Sequence, residues 1–244
     1  MNGDSTLLMA TATAAGVLHT LLGPDHYVPF VAMAKAGGWS LRKTLAVTAL
    51  CGLGHVAGSV VIGAVGLALG TALFQLETLE ALRGDVAAWL LIGLGTAYAV
   101  WAVLQAARDA PHTHTHAHAD GTVHSHRHQH DAAHCHVHDA RARSELRQTI
   151  SGRATPWALF LIFVFGPCEV LIPLLMYPAA QAHAGVVAAV VAAFAVATVG
   201  TMLLAVAVLS AGVHLVRLPD MHRYGHAAAG LSVAACGAAI RFGL

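Results

Sequence analysis

Charge is what this sequence has least of. Only 10% of its 244 residues are Asp, Glu, Lys or Arg, where a soluble domain carries about 25%. Residues 44–76, 86–107 and 184–213 contain none at all. Each of these runs is longer than the roughly 20 apolar residues that cross a bilayer. A folded surface in water could not be built from what is left, so a soluble helical bundle is excluded. Cysteine is scarce too: Cys51, Cys135, Cys168 and Cys236 are scattered with no C-x-x-C pair, which argues against a disulfide framework. No G-x-x-x-x-G-K-[ST] run offers an ATP site, and no Lys/Arg patch suggests nucleic acid as a partner. No Lys or Arg precedes Lys35, so the first apolar segment lacks the basic start of a cleaved signal and is expected to stay.

What is present is hydrophobic, 57% of residues, with a mean hydropathy of +0.66. Six spans are predicted, at about 5–35, 44–75, 86–107, 155–181, 184–212 and 225–243. Alternating strand patterns are absent from them, and a helix satisfies its own backbone in lipid, so the expected fold is all-α transmembrane. Spans of about 30 residues measure ~45 Å when straight, more than the ~30 Å hydrocarbon core. Gly23-Pro24 in the first span and Gly166-Pro167 in the fourth are the natural places for a break. Basic residues cluster on one side, at Lys35, Arg42 and Lys43, at Arg108 to Arg153, and at Arg217 and Arg223. The other side carries Asp4 and the Glu77, Glu80, Arg83, Asp85 loop. The positive-inside rule then puts both termini outside the cytoplasm of a multi-pass protein of the bacterial inner membrane.

Gly-Pro, eight residues, Met occurs at 23–33 and again at 166–176, an offset of 143. Three spans separate the copies, so they cross in opposite directions. That predicts a 3+3 inverted repeat with broken helices 1 and 4, a transporter design. The chain divides accordingly into a first half at 1–108, a loop at 109–153 and a second half at 154–244. The loop carries His112, His114, His116, His118, His124, His126, His128, His130, His134, His136 and His138. So polar a run builds no core, and it is expected to be a disordered cytoplasmic segment that captures or buffers metal.

Ionisable groups inside a span are costly and mark functional sites facing the protein interior. His19, Asp25 and His26 lie in the first span and His55 in the second. In an unbroken helix His19 and His26 would stand ~10 Å apart along the axis, so only the Gly23-Pro24 break lets both reach one ion. Asp25 has two possible roles, ligand or hydrogen-bond acceptor that fixes a histidine tautomer. Span 4 offers Cys168 and Glu169 at the positions equivalent to Asp25 and His26. Thr198 stands where His55 stands in the first half. A set of plain interhelical hydrogen bonds is the competing reading. Neutral imidazoles with a carboxylate suit nickel, cobalt or zinc.

These residues resemble the nickel–cobalt transporter superfamily, including its urease-accessory and six-span efflux-type branches. Those proteins carry His-x4-Asp-His in an early helix, Gly-His in the next, and often a histidine-rich cytoplasmic loop. Here His19-x5-Asp25-His26 departs by one residue, and Gly54-His55 and residues 112–138 match in kind. The resemblance implies metal selection by His19, Asp25, His26 and His55. Gly166-Pro167-Cys168-Glu169 is also similar, more weakly, to the transmembrane thiol-disulfide carriers of cytochrome c biogenesis. The repeat partner of Cys168 is Asp25, so a redox pair would need Cys51 instead. Sulfite-exporter-like proteins share the general architecture, but an anion site wants a central basic residue and the predicted spans supply none.

The expected function is therefore transport of a divalent transition metal as substrate, with no prosthetic group and no catalytic residues. The chain would be a secondary transporter or a transporter subunit, partnered by the lipid bilayer and by a cytoplasmic metallochaperone or further subunits. A thiol relay and an anion exporter are the alternatives. The orientation has a direct check: a membrane-impermeant thiol reagent should label Cys135 in inverted vesicles and not in intact cells. Labelling from outside would reverse the topology.

Overall fold

A computed structural model describes residues 3–70, 73–108, 112–117, 123–128, 155–168, 170–180, 184–215 and 224–242. Eight α-helices account for nearly all of them: α1 Gly3–Leu22, α2 Val28–Ala36, α3 Leu41–Ala68, α4 Leu73–Arg108, α5 Thr155–Phe165, α6 Leu171–Ala180, α7 Ala184–Leu215 and α8 Gly225–Phe242. A 3-10 turn, Pro24–His26, links α1 to α2. The distribution of side chains is that of a protein in lipid. Leu50, Leu53, Val61, Val196, Leu204 and Val208 face outward, while Thr20, Thr44, Thr48, His55, Ser59, Glu80 and Thr198 are buried.

Four helices contain stretches long and apolar enough to span a membrane: Ser5–Leu22, Leu41–Ala68, Phe74–Ala107 and Ala184–Gly212. The breaks expected in the first and fourth spans are present, and the bounds of the third are corrected. The first predicted span is two helices, because Pro24 has no N–H to continue the ladder and Gly23 takes an extended conformation. The fourth is likewise α5 and α6, of 11 and 10 residues, separated by Gly166-Pro167. The third starts far earlier than residue 86. No Gly or Pro interrupts residues 73–83, so the acidic stretch expected as a loop is the first part of the 36-residue α4.

The histidine-rich segment differs as well. Residues 112–117 and 123–128 form two antiparallel strands, β1 and β2, with His112 opposite His128, His114 opposite His126, and His116 opposite His124. Composition pointed to disorder, but a period-two pattern with interleaved threonines also suits paired strands, and Asp120-Gly121 between them is a hairpin turn signal. The remainder of the 109–153 loop lies outside the described residues.

α4 packs chiefly on α8, α1 on α7, and α3 on both α5 and α7. The α4–α8 crossing depends on small residues. A methyl added at Gly230 would lie 2.6 Å from both Ala99 N and Gly95 O, and one at Gly237 2.6 Å from Ala88 O. Lipid tails are as apolar as the helix surfaces, so close backbone approach is what holds such pairs. Gly230→Val should therefore destabilise the detergent-solubilised protein by about 1–3 kcal/mol, the usual cost of overpacking. Gly93→Val, where an added carbon meets nothing within 4 Å, should leave thermal unfolding unchanged.

Candidate metal centre

Both helix breaks open onto one group of side chains. His19 lies in the last turn of α1, His26 in the 3-10 turn that follows, and His55 midway along α3. Their ring centroids are 4.6 Å apart for His19 and His26, 5.1 Å for His26 and His55, and 6.0 Å for His19 and His55. The break at Gly23 is what brings His26 back beside His19. A continuing helix would have carried it a further two turns away. Cys168, at the second break, completes the group: one ligand atom each from His19, His55 and Cys168 lie within 4.8 Å of one another.

The two glycines of the Gly-Pro pairs leave room for these rings. A methyl at Gly23 would sit 2.6 Å from His26 Nδ1 and 2.8 Å from Asp25 Oδ1, and one at Gly166 would sit 2.9 Å from His55 Nδ1. His19 rests beside Phe194 and His55 beside Phe163, so aromatic rings wall the group on two sides. A cavity of about 500 Å³ opens next to it, lined by His19, Asp25, His26, Pro167 and apolar neighbours.

The ring nitrogens are not spent on one another. His26 Nδ1 meets two acceptors, the Gly23 carbonyl at 3.1 Å and Asp25 Oδ1 at 3.3 Å. That pair of acceptors puts the proton on Nδ1 and the lone pair on Nε2. Nε2 of His19, His26 and His55 is buried without a hydrogen-bond partner. Nδ1 of His55 is unpartnered as well. Leaving such atoms unmade costs about 1–3 kcal/mol each, which disfavours a purely structural hydrogen-bond cluster. Asp25 is outside the group of three and orients His26, the second of the roles its position allowed. Glu169 lies outside the described residues. So do His118, His130, His134, His136 and His138. His112, His114, His116, His124, His126 and His128 are placed by backbone register alone.

A second polar group was not anticipated. Glu80 of α4, fully buried, accepts hydrogen bonds from Ser59 Oγ at 3.1 Å and from the Cys168 backbone N–H at 3.0 Å. Arg83, one turn on, pairs with Glu80 and donates to Ser59 Oγ at 3.2 Å. Its other nitrogen donates to the carbonyls of Val164 at 2.7 Å and Gly166 at 3.3 Å. The sequence signal was Glu80-x-x-Arg83 in a stretch with no helix breaker. A basic residue thus lies part-buried within α4, and it is committed to Glu80 and to backbone. Cys51 and Cys168 are both buried and free, yet they pack into different apolar clusters, around Phe30 and Met202 and around Phe194 respectively.

No family model, curated protein or solved structure matches this chain. The geometry can be tested on its own terms by calorimetry with Ni(II) on detergent-solubilised protein lacking residues 112–138. Asp25→Asn removes the charge that holds the His26 tautomer and should weaken binding about 10- to 100-fold, as losing such an outer partner does. An unchanged affinity would remove Asp25 and His26 from the site.

Proposed function

We propose that this protein is a secondary transporter, or the membrane subunit of one, for a divalent transition metal. Nickel or cobalt is the favoured substrate, and zinc is the next. One observation carries the reading: ligand atoms of His19, His55 and Cys168 converge within 4.8 Å of one another inside a membrane-type helical fold, with His26 outside that group of three but packed against both other rings, and ring nitrogens left unpartnered. His19, His55 and Cys168 would ligate the ion, His26 would complete or exchange into the shell, and Asp25 would set the His26 tautomer. Imidazole and thiolate are borderline-to-soft donors, which favour nickel, cobalt and zinc over magnesium, calcium and manganese.

The packing pattern supports the finer architecture we propose, six crossings as a 3+3 inverted repeat. Exchanging span 1 with 4, 2 with 5 and 3 with 6 turns the α1–α7 contact into the contact of α3 with α5 and α6. The α3–α7 and α4–α8 contacts map onto themselves. Broken helices in corresponding positions of two halves, meeting at a shared site, are the arrangement expected for alternating access. With the basic loops inside, both termini lie outside the cytoplasm of a bacterial inner membrane, and the histidine-rich segment faces the cytoplasm as a metal-capture device. On this reading the chain is allied to the nickel–cobalt transporter superfamily it resembles.

Proteoliposome flux measured with a panel of Ni(II), Co(II), Zn(II) and Mn(II) tests the reading. His19→Ala and His55→Ala should each reduce Ni(II) and Co(II) flux at least about tenfold, and Mn(II) should not be carried. Deleting residues 112–138 should leave flux possible but change its metal-concentration dependence, and because the segment binds through neutral imidazole that difference should fade as pH drops below about 6.5. Undiminished Ni(II) and Co(II) flux in His55→Ala would overturn the assignment.

A further inference from the structure

Cys168 does not hold its own position. It follows Pro167, precedes α6, and sits where the backbone of span 4 has lost its helical hydrogen bonds. The carbonyls of Val164 and Gly166 and the N–H of Cys168 are among the groups freed there, and in a bilayer none has water to turn to. All three are taken by one device reaching across from α4. Arg83 Nη2 donates to Val164 O at 2.7 Å and Gly166 O at 3.3 Å, and Glu80 Oε2 accepts from Cys168 N at 3.0 Å. Ser59 of α3 ties the same pair to the helix that carries His55 four residues earlier.

Neighbouring positions are shaped around this device. A methyl at Gly58 would fall 2.6 Å from Arg83 Nη2 and 2.8 Å from Val164 O, and one at Gly84 2.9 Å from Pro167 Cγ. The first break has no such clamp among the described residues. There Gly23 O is met by the N–H and the Nδ1 of His26, and Gly23 N by His19 O.

We infer that Glu80 and Arg83, through Ser59, are positioning residues that hold the Cys168 thiol in register with His19 and His55, and so decide whether the site offers sulfur to the metal. The clamp touches Cys168 by its backbone and leaves the thiol to the ion. A planar guanidinium suits the task because it spans two carbonyls and a carboxylate at fixed angles, which a lysine ammonium does not. The inference rests on the metal-site reading above, and its test separates the two.

Full-length protein carrying Cys51→Ser, Cys135→Ser and Cys236→Ser keeps Cys168 as its single thiol. Titrated with Co(II), this parent should show a near-ultraviolet thiolate-to-cobalt charge-transfer band, absent when Cys168→Ser is added. If the parent shows no Cys168-dependent band, the metal-site reading falls and the clamp inference with it. Given that band, the charge-balanced pair Glu80→Gln with Arg83→Met should lose it and weaken Co(II) affinity about 10- to 100-fold, while visible absorption that depends on His19 and His55 persists. Persistence of the histidine-dependent absorption shows the fold intact, which a merely destabilised protein would not give. Gly58→Ala, which crowds Arg83 without touching its charge, is the second variant should the pair not survive purification, and the same loss is expected. Band and affinity unchanged in a folded variant would overturn the clamp while leaving the metal site standing.

Discussion

A helix broken inside a bilayer must find partners for the backbone groups it frees. Water satisfies them in a soluble protein, but the hydrocarbon core supplies none, and each unpaired group costs several kcal/mol. This chain breaks two of its membrane helices, at Gly23-Pro24 and at Gly166-Pro167. Much of the polar interior follows from that. His26 and Asp25 sit in the first gap, Glu80 and Arg83 reach into the second, and Ser59 joins the second set to α3. A buried polar network is stable only when its members satisfy one another, and here most of them do. Four of the six exceptions among the described residues are ring nitrogens of His19, His26 and His55, and the other two are the hydroxyls of Thr198 and Ser210. Lone pairs grouped in this way are what the metal site we propose would use.

The two breaks also explain how residues distant in sequence come together. A straight helix would present His19 and His26 at different depths, and Cys168 would lie within a turn of an ordinary span. Stopping α1 at Leu22 and restarting at Val28 lets one 3-10 turn set the His26 ring beside that of His19. The second break exposes the Cys168 region to α3, where His55 is waiting. Glycine is needed at both points because any side chain would occupy the space of a histidine ring. Proline and glycine thus act as a pair, the first stopping the helix and the second leaving space for the ligands.

Part of this was legible in the sequence. His19, Asp25, His26 and His55 stand out because an ionisable group in an otherwise apolar run has a high cost and therefore a reason. The breaks were legible too, as Gly-Pro pairs repeated at a fixed offset. The clamp was not, because Glu80 and Arg83 fall in a short charged stretch between two apolar runs, and such stretches usually lie at the interface. Only a continuous α4, about 54 Å long at 1.5 Å per residue, carries them into contact with α3 and α5. The strand pairing of residues 112–128 was hidden for a different reason. There so polar a composition points to disorder, while the period-two alternation also fits paired strands.

The two gaps are related by the proposed repeat, yet they are filled by unlike chemistry. In the first, the Tyr27 hydroxyl donates to Leu21 O at 3.3 Å, and the other side chain that satisfies the broken backbone is itself a candidate ligand: His26 donates from Nδ1 to Gly23 O and keeps Nε2 for the centre. Coordination and backbone geometry are coupled there, since a ring that turns toward an ion must keep or surrender its bond to the backbone. In the second, the groups that satisfy the backbone are Glu80 and Arg83, and the candidate ligand Cys168 is held from behind without being used. That side of the site is set by a charge-paired frame, and losing Arg83 alone would leave the buried Glu80 uncompensated, at a cost of about 3–5 kcal/mol. In the transporter we propose, the first half of the centre would respond to the ion and the second would be held fixed. A site that alternates between two faces of a membrane would need both properties, a stationary reference and a ligand that can let go, and the asymmetry between the gaps would supply one of each.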